Sequence, residues 1–351
     1  MVIIVLTKST NYAEIKQVAE TEIGLRTQCV MDNNVVKKCK PGAGHQPVPE
    51  DERQAGRPNN SLLSQGEAGY LPEAIIIIGA ASLPGARDKH RPLHRRLRRQ
   101  PGLDPIQVPL FYSGPEGDST ATSRVEIIRD LKDMMKELLK AFYRATKHKP
   151  ERIIFYRDGV SQGQFMEVRN REVSAIRLAC QEMSPNETYE PALTFIIVQK
   201  RHHTRFMPAS DRDGVGKCKN VPPGTTVDSV VTHPLDFDFF LCSHFGIQGT
   251  SKPSHYYIVW DDSDFSADDL QKLSFYLCHT YARCSRSVSI PAPVYYAHLA
   301  AYRAKNHVIS KVDVSSSSSD SSGASADSIT TSQYVQAVKV LDNLQTAMYF
   351  V

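Results

Sequence analysis

The stretch Arg152-Ile153-Ile154-Phe155-Tyr156-Arg157-Asp158-Gly159-Val160 constrains the fold more than any other. Four consecutive apolar or aromatic residues, β-branched at the start, predict a short strand covered on both faces, and Asp158-Gly159 is the turn that ends it. A strand of that kind belongs to an α/β sheet with helices on either side, and ligands gather beyond the strand ends of such sheets. Asp158 is therefore the first candidate for chemistry, with an ordinary turn aspartate as the simpler alternative.

Similar runs predict further strands at Val2–Leu6, Ala74–Gly79, Leu193–Val198 and Tyr256–Trp260, with an aromatic run at Phe237–Leu241. Helical periodicity lies between them. Ser123-Arg124-Val125-Glu126 is a capping box that predicts a long helix with Val125, Ile128, Leu131, Met135, Leu138 and Phe142 as its apolar stripe. Ser161–Gln164 opens another helix through Phe165, Val168, Ile176 and Ala179. Ser266 caps a helix running to about Arg283, and a last core helix runs from Val294 to about Lys305. Strands alternating with helices give an α/β domain from about Pro72 to His307. Within the last helix His298 and Arg303 point about 140° apart, so one helix can serve two sites.

The chain has 351 residues, 41% of them hydrophobic, enough for one large core and part of a second domain. Its seven cysteines are scattered without a CxxC pair, which argues for a reducing compartment and against a structural zinc site. Val2–Leu6 is too short for a signal-peptide core and Ile75–Ile78 far short of a bilayer crossing, so a soluble cytoplasmic protein with no membrane partner is expected. Val2–Leu6 also lacks a preceding element to pair with, which predicts a truncated beginning. Residues 40–71 carry no periodicity and read as irregular or disordered, and Ser315–Ser322 reads as a low-complexity tether. A short helix near Tyr334–Leu344 and a docked apolar terminus, Met348-Tyr349-Phe350-Val351, complete the chain.

A formal charge of +4 is modest, so a polyanionic partner rests on local clusters. Arg87–Arg99 reads as a nucleic-acid patch, a nuclear-import signal or a solvated disordered run. The basic segment Gln199–Arg205 follows a strand end, where it suits a phosphate backbone or forms a solvated loop. Tyr12 and Lys16 lie at i and i+4 near a helix start capped by Thr10 or Asn11, positions that suit a phosphate or a solvated helical face.

Tyr156–Phe165, Val198–Arg205, His244–Ser254, Arg283–Arg303 and the Met348-Tyr349-Phe350 ending together resemble the C-terminal half of a eukaryotic Argonaute, closest to the animal microRNA and siRNA branch. The resemblance implies an RNase H-like PIWI domain over 72–351, preceded by a partial MID domain over 1–39. Within the PIWI part, 83–120 would be an atypical basic and proline-rich insert, 311–332 a serine-rich linker and 333–351 a C-terminal helix and tail. It implies small guide RNA binding, pairing with a complementary target RNA, and gene silencing.

In cleaving members four side chains hold two Mg²⁺ ions, or Mn²⁺ in their place, at the scissile phosphate, so clustered carboxylates are required. By resemblance Asp158, Glu126 and His298 are three of the four. The fourth should follow Gly79-Ala80, in a Gly-Ala-Asp-Val-Thr-His-Pro run, yet the chain continues Ala81-Ser82-Leu83-Pro84. The resemblance therefore implies impaired cleavage, with a cleaving enzyme altered by a sequence artefact as the alternative. It also implies two antiparallel strands before Glu126, where Arg87–Gly117 shows no strand pattern; a shift of reading frame or a misjoined exon is the expected cause.

For the guide's 5′-phosphate the resemblance implies Tyr12, Lys16, Gln28, Arg283 and Arg303, cationic and hydrogen-bonding donors suited to a terminal phosphate. Two further lysines expected after Cys39 are missing, which lowers the expected affinity. Lys200, Arg201, His202, Arg205, Arg286 and Tyr295 match or adjoin contacts to the guide backbone. A Trp-rich silencing scaffold is the implied protein partner, with Phe142 and Lys149 in its pocket and core packing as the other reading of Phe142.

Overall fold

The computed structural model describes residues 2–33, 35, 74–82, 95–99, 127, 128, 130–317, 338–345 and 347–351. A small unit comes first. Strand β1 (Val2–Leu6) pairs in parallel with β2 (Thr27–Met31) through helix α1 (Tyr12–Gln17) and the π turn Val18–Ile23. Asn11 caps α1, its side-chain oxygen accepting from the N–H groups of Ala13 and Glu14. The unpaired first strand expected from the sequence thus has a partner, supplied by the segment around Gln28.

The main sheet has seven strands in the order β4-β3-β5-β6-β9-β8-β7. They are β3 (Ile75–Ser82), β4 (Arg95–Arg99), β5 (Arg152–Asp158), β6 (Ala192–Gln199), β7 (Thr225–Val227), β8 (Asp238–Cys242) and β9 (Ser254–Asp261). Strands β3, β5 and β6 run parallel and the others pair antiparallel. One expectation fails here: the arginine-rich stretch contains strand β4, paired to β3 with Ala81 opposite Arg96.

Alternation explains why the central runs are apolar throughout. Ile153 and Phe155 of β5 join Ile76 and Ile78 of β3 against helices α2 (Leu131–Thr146), α3 (Phe165–Val168) and α4 (Ser174–Met183). Ile154 and Tyr156 join Ile75 and Ile77 on the other face, against α5 (Ala267–Leu277) and the start of α6 (Ala292–Ser317). Because Asp158 follows the parity of Tyr156, it lies on the α6 face, and Arg157 lies on the α2–α4 face. At Gly79 the start of α6 comes so close that an added Cβ would meet the Pro293 carbonyl.

Several boundaries shift. Helix α2 begins at Leu131, with Leu131, Met135, Leu138 and Phe142 buried as expected. The capping box at 123–126, including Glu126, lies outside the described residues. Helix α5 stops at Leu277, short of Arg283, and α6 continues past Lys305 into the serine run. The expected helix near Tyr334–Leu344 is described only at its end, as α7 (Asp342–Gln345). The apolar terminus docks as expected: Tyr349, Phe350 and Val351 pack with Ala292, Tyr296 and Ala300 of α6. Among the described residues, no helix is long and apolar enough to cross a membrane.

Candidate functional site

Asp158 ends β5 and Gly159, at φ 81°, turns the chain away. One carboxylate oxygen accepts from the Gly159 N–H at 2.7 Å, and the other lies 2.6 Å from Nε2 of His298 on α6. Both side chains remain partly exposed, 19% for Asp158 and 31% for His298, so the pair opens to a ligand. Ala81 is the in-register neighbour of Asp158 on β3, fully buried and on the same face of the sheet. The position where a second carboxylate was expected is thus beside Asp158 and carries a methyl group.

Behind this pair, on the other face, Arg157 and Glu172 form a fully buried ion pair, Nε to Oε2 3.1 Å. Glu172 also accepts from the Ile128 N–H at 3.0 Å, and Arg157 donates to the Asp158 carbonyl. One buried pair therefore ties the strand end to the segment just past residue 126. Among the described residues no group of three or more acidic, histidine or cysteine side chains could hold a metal ion. Of the implied Mg²⁺ ligands the described residues hold Asp158 and His298, with Ala81 at the fourth position, and Glu126 lies outside them.

A second cluster lies between the small unit and the outer side of α6. Lys16 is 2% exposed and donates to the Thr27 carbonyl and, at 3.0 Å, to Thr27 Oγ1. Arg303 donates to Glu20 and, at 3.0 Å, to the Tyr349 carbonyl. Both cations stand 5.9 Å from the Tyr12 ring. Burial, reinforced by Arg303, lowers the Lys16 pKa to about 8, and Glu20 works against that shift. Gln28 follows Thr27 on β2, half-buried. Arg283 is exposed beside Tyr281, whose phenol pKa burial raises and Arg283 pulls back. As the spacing on α6 predicts, His298 and Arg303 face two separate clusters.

The basic segment after β6 divides in two. Arg201 and Arg286 are exposed. Lys200 is half-buried, donates to Ser289 Oγ, and has a pKa lowered by burial against an opposing pull from Asp158. Ser289 Oγ also lies 3.0 Å from the Tyr295 hydroxyl. His202 Nε2 contacts the Pro253 carbonyl at 2.9 Å, and Arg205 donates to the carbonyls of His202 and Thr204. These inward contacts shape the loop around the exposed arginines.

Phe142, 1% exposed, packs in the core against the sheet, the second of its two sequence readings, because its place on the α2 stripe points it inward. Lys149 is exposed, paired with Glu187 at 2.7 Å and lying over the Tyr189 ring. Sequence reasoning missed Glu20, His307 and the Arg157–Glu172 pair. Lys16/Glu20 and Arg303/His307 each stand at i, i+4, a spacing that marks neighbours on one helical face.

A Piwi domain model matches residues 117–309, more than half of the chain. The chain belongs to the Piwi-domain family. It is similar to the C-terminal lobe of a budding yeast Argonaute, with a TM-score of 0.76 and 25% identity over 99% of this chain and 69% of that one. Kluyveromyces polysporus Argonaute with a guide RNA aligns at a TM-score of 0.82 and 26% identity, over 99% of this chain and 39% of that one. Drosophila Piwi aligns at 0.66 and 25%, over 86% and 39%. The mixed sheet with helices on both faces is the RNase H-like fold of this Piwi-family chain. The matched segment starts after β3 and β4, yet both register into the same sheet.

Proposed function

We propose that this chain holds the 5′-phosphorylated end of a small guide RNA and presents the guide to a complementary target RNA without cutting it, as part of a cytoplasmic silencing protein. The observation that carries the reading is the convergence of Tyr12, Lys16 and Arg303, with both cations 5.9 Å from one phenol, where the small unit meets α6. Cations and hydroxyls gathered there suit a terminal phosphate through charge-assisted hydrogen bonds. Gln28 and Arg283 complete the proposed anchor, and residues 1–39 act as a partial MID domain. Similarity to an Argonaute crystallised with a guide RNA supports the ligand class.

Along the guide backbone Arg201 and Arg286 supply exposed charge, and Lys200, His202, Arg205 and Tyr295 shape the path. Such contacts place the strand, and base pairing reads the target. The non-cutting half of the proposal is supported by Ala81 beside Asp158: an alanine binds no metal, and two-metal hydrolysis needs bridging carboxylates. A Trp-rich scaffold remains the proposed partner, with Lys149 the member of the pair it can reach.

The test uses the purified chain with a 5′-phosphorylated guide, a complementary target and Mg²⁺. The expected result is a retained, uncut target and tighter binding of phosphorylated than of 5′-hydroxyl guides. A cut opposite the centre of the guide overturns the non-cutting half, and equal affinity for both guides overturns the anchor.

A further inference from the structure

Glu20 has no part in the reading above, yet it is the centre of the cluster. It lies in the π turn after α1, 0% exposed. Arg303 donates to Oε1, Lys16 Nζ lies 3.7 Å from the same oxygen, and His307 Nε2 lies 2.9 Å from Oε2. Lys16 and Glu20 are one helical turn apart at α1, as are Arg303 and His307 on α6, so two turns meet face to face. A carboxylate so deep is tolerable only because cations surround it. With Lys16 and Arg303 charged, the cluster keeps one positive charge in excess.

We propose that Glu20 is the resident counter-anion of this pocket, a positioning residue that sets the strength and the pH range over which Lys16 and Arg303 hold a terminal phosphate. The proposal rests on the phosphate-anchor reading. Two opposed effects follow from the geometry. Glu20 competes with an incoming phosphate for the same two cations, which weakens the hold. It also favours the ammonium form of Lys16, which burial and Arg303 disfavour, and so extends the hold to higher pH.

Among the described residues, the other titratable groups facing the cluster are Tyr12 from α1, Cys29 from β2, and Tyr302 and His307 from α6. Burial raises the pKa of the Tyr12 phenol and of the Cys29 thiol, so both stay neutral around pH 7. Histidine ordinarily titrates near neutrality, so His307 needs its own control.

The experiment records the affinity of the full chain for labelled guide RNA carrying a 5′-phosphate or a 5′-hydroxyl, across a pH series. In the wild type the advantage of the phosphate should persist up to the Lys16 pKa of about 8 and decline above it. In Glu20→Gln the advantage should be greater by roughly tenfold at about pH 6, where Lys16 is still charged, and should decline from a lower pH than in the wild type. The curves then cross. His307→Gln should retain the wild-type decline; loss of the decline there assigns it to the histidine and overturns the proposal. An unchanged profile in Glu20→Gln, or an equal gain for the hydroxyl guide, also overturns it. A wild type that binds both guides equally refutes the phosphate anchor itself, a different outcome. Should Glu20→Gln fail to fold, Glu20→Asp draws the carboxylate back from Lys16 and should lower the break in the same direction; an unmoved break overturns the proposal.

Discussion

Ala81 and Asp158 are in-register neighbours on the parallel strands β3 and β5. Parallel neighbours stand about 4.8 Å apart with side chains on one face. An aspartate at position 81 would therefore place two carboxylates side by side, with His298 across from them. In chelator, Ala81→Asp should lower stability by about 1–3 kcal/mol, since like charges at a buried strand end disfavour ionisation. Adding Mg²⁺ or Mn²⁺ should raise its melting temperature, with little change in the wild type. If the metal gives the variant no added stability, two neighbouring carboxylates do not suffice to recruit it.

Gly79→Ala should act through α6. The new Cβ would stand 2.2 Å from the carbonyl carbon of Pro293 and 2.5 Å from the Val294 nitrogen. Backbone atoms cannot rotate aside as a side chain can, so the helix start must lift from β3. A loss of about 1–3 kcal/mol in urea unfolding is expected, as for other overpacked sites. Wild-type stability would show that α6 gives way there without cost.

The sheet and one end of its chemistry were legible because their signals are local. A buried strand announces itself by an unbroken apolar run, and β3, β5, β6 and β9 all do so. Strand β4 was not legible, since Arg95–Arg99 has no apolar pattern and takes strand form only by pairing with β3. Helix α2 starts later than its apolar stripe suggests because Ile128 belongs to the stripe but lies outside the helix, its N–H bonded to Glu172. Phe142 carried two readings in sequence, and only its burial decides between them. The Glu20 cluster joins two i, i+4 pairs that lie 283 or more positions apart in the chain, and no spacing rule brings those pairs together.

The Arg157–Glu172 pair should be costly to break. Both side chains are 0% exposed, so Glu172→Gln leaves a guanidinium without its counter-charge inside the core. A loss of about 3–5 kcal/mol is expected. The double variant Arg157→Met, Glu172→Leu should recover much of it, because well-packed apolar residues often replace a buried pair without penalty. Chemical unfolding of Arg157→Met, Glu172→Leu and the double gives the coupling. Additive losses would show that the pair acts as two independent packing residues.

Lys16 should make stability rise with pH in the alkaline range. In the folded chain its pKa falls from 10.5 to about 8, with burial as the largest cause. Between those values the unfolded chain binds more protons at this residue than the folded one, so raising the pH favours folding. Below about 8 both states are protonated and the full cost of a buried ammonium is present. Compared with Lys16→Met, which cannot titrate, the wild type should gain about 2 kcal/mol from near pH 8 to near pH 10, less than the full shift because that window spans only part of the titration. Urea unfolding of both proteins across that range measures the difference, and parallel curves would rule out the shift. Deprotonation that steadies the fold also removes a cation from the proposed phosphate pocket. Stability and phosphate-dependent guide affinity should therefore move in opposite directions above pH 8, and in Lys16→Met neither should follow that titration.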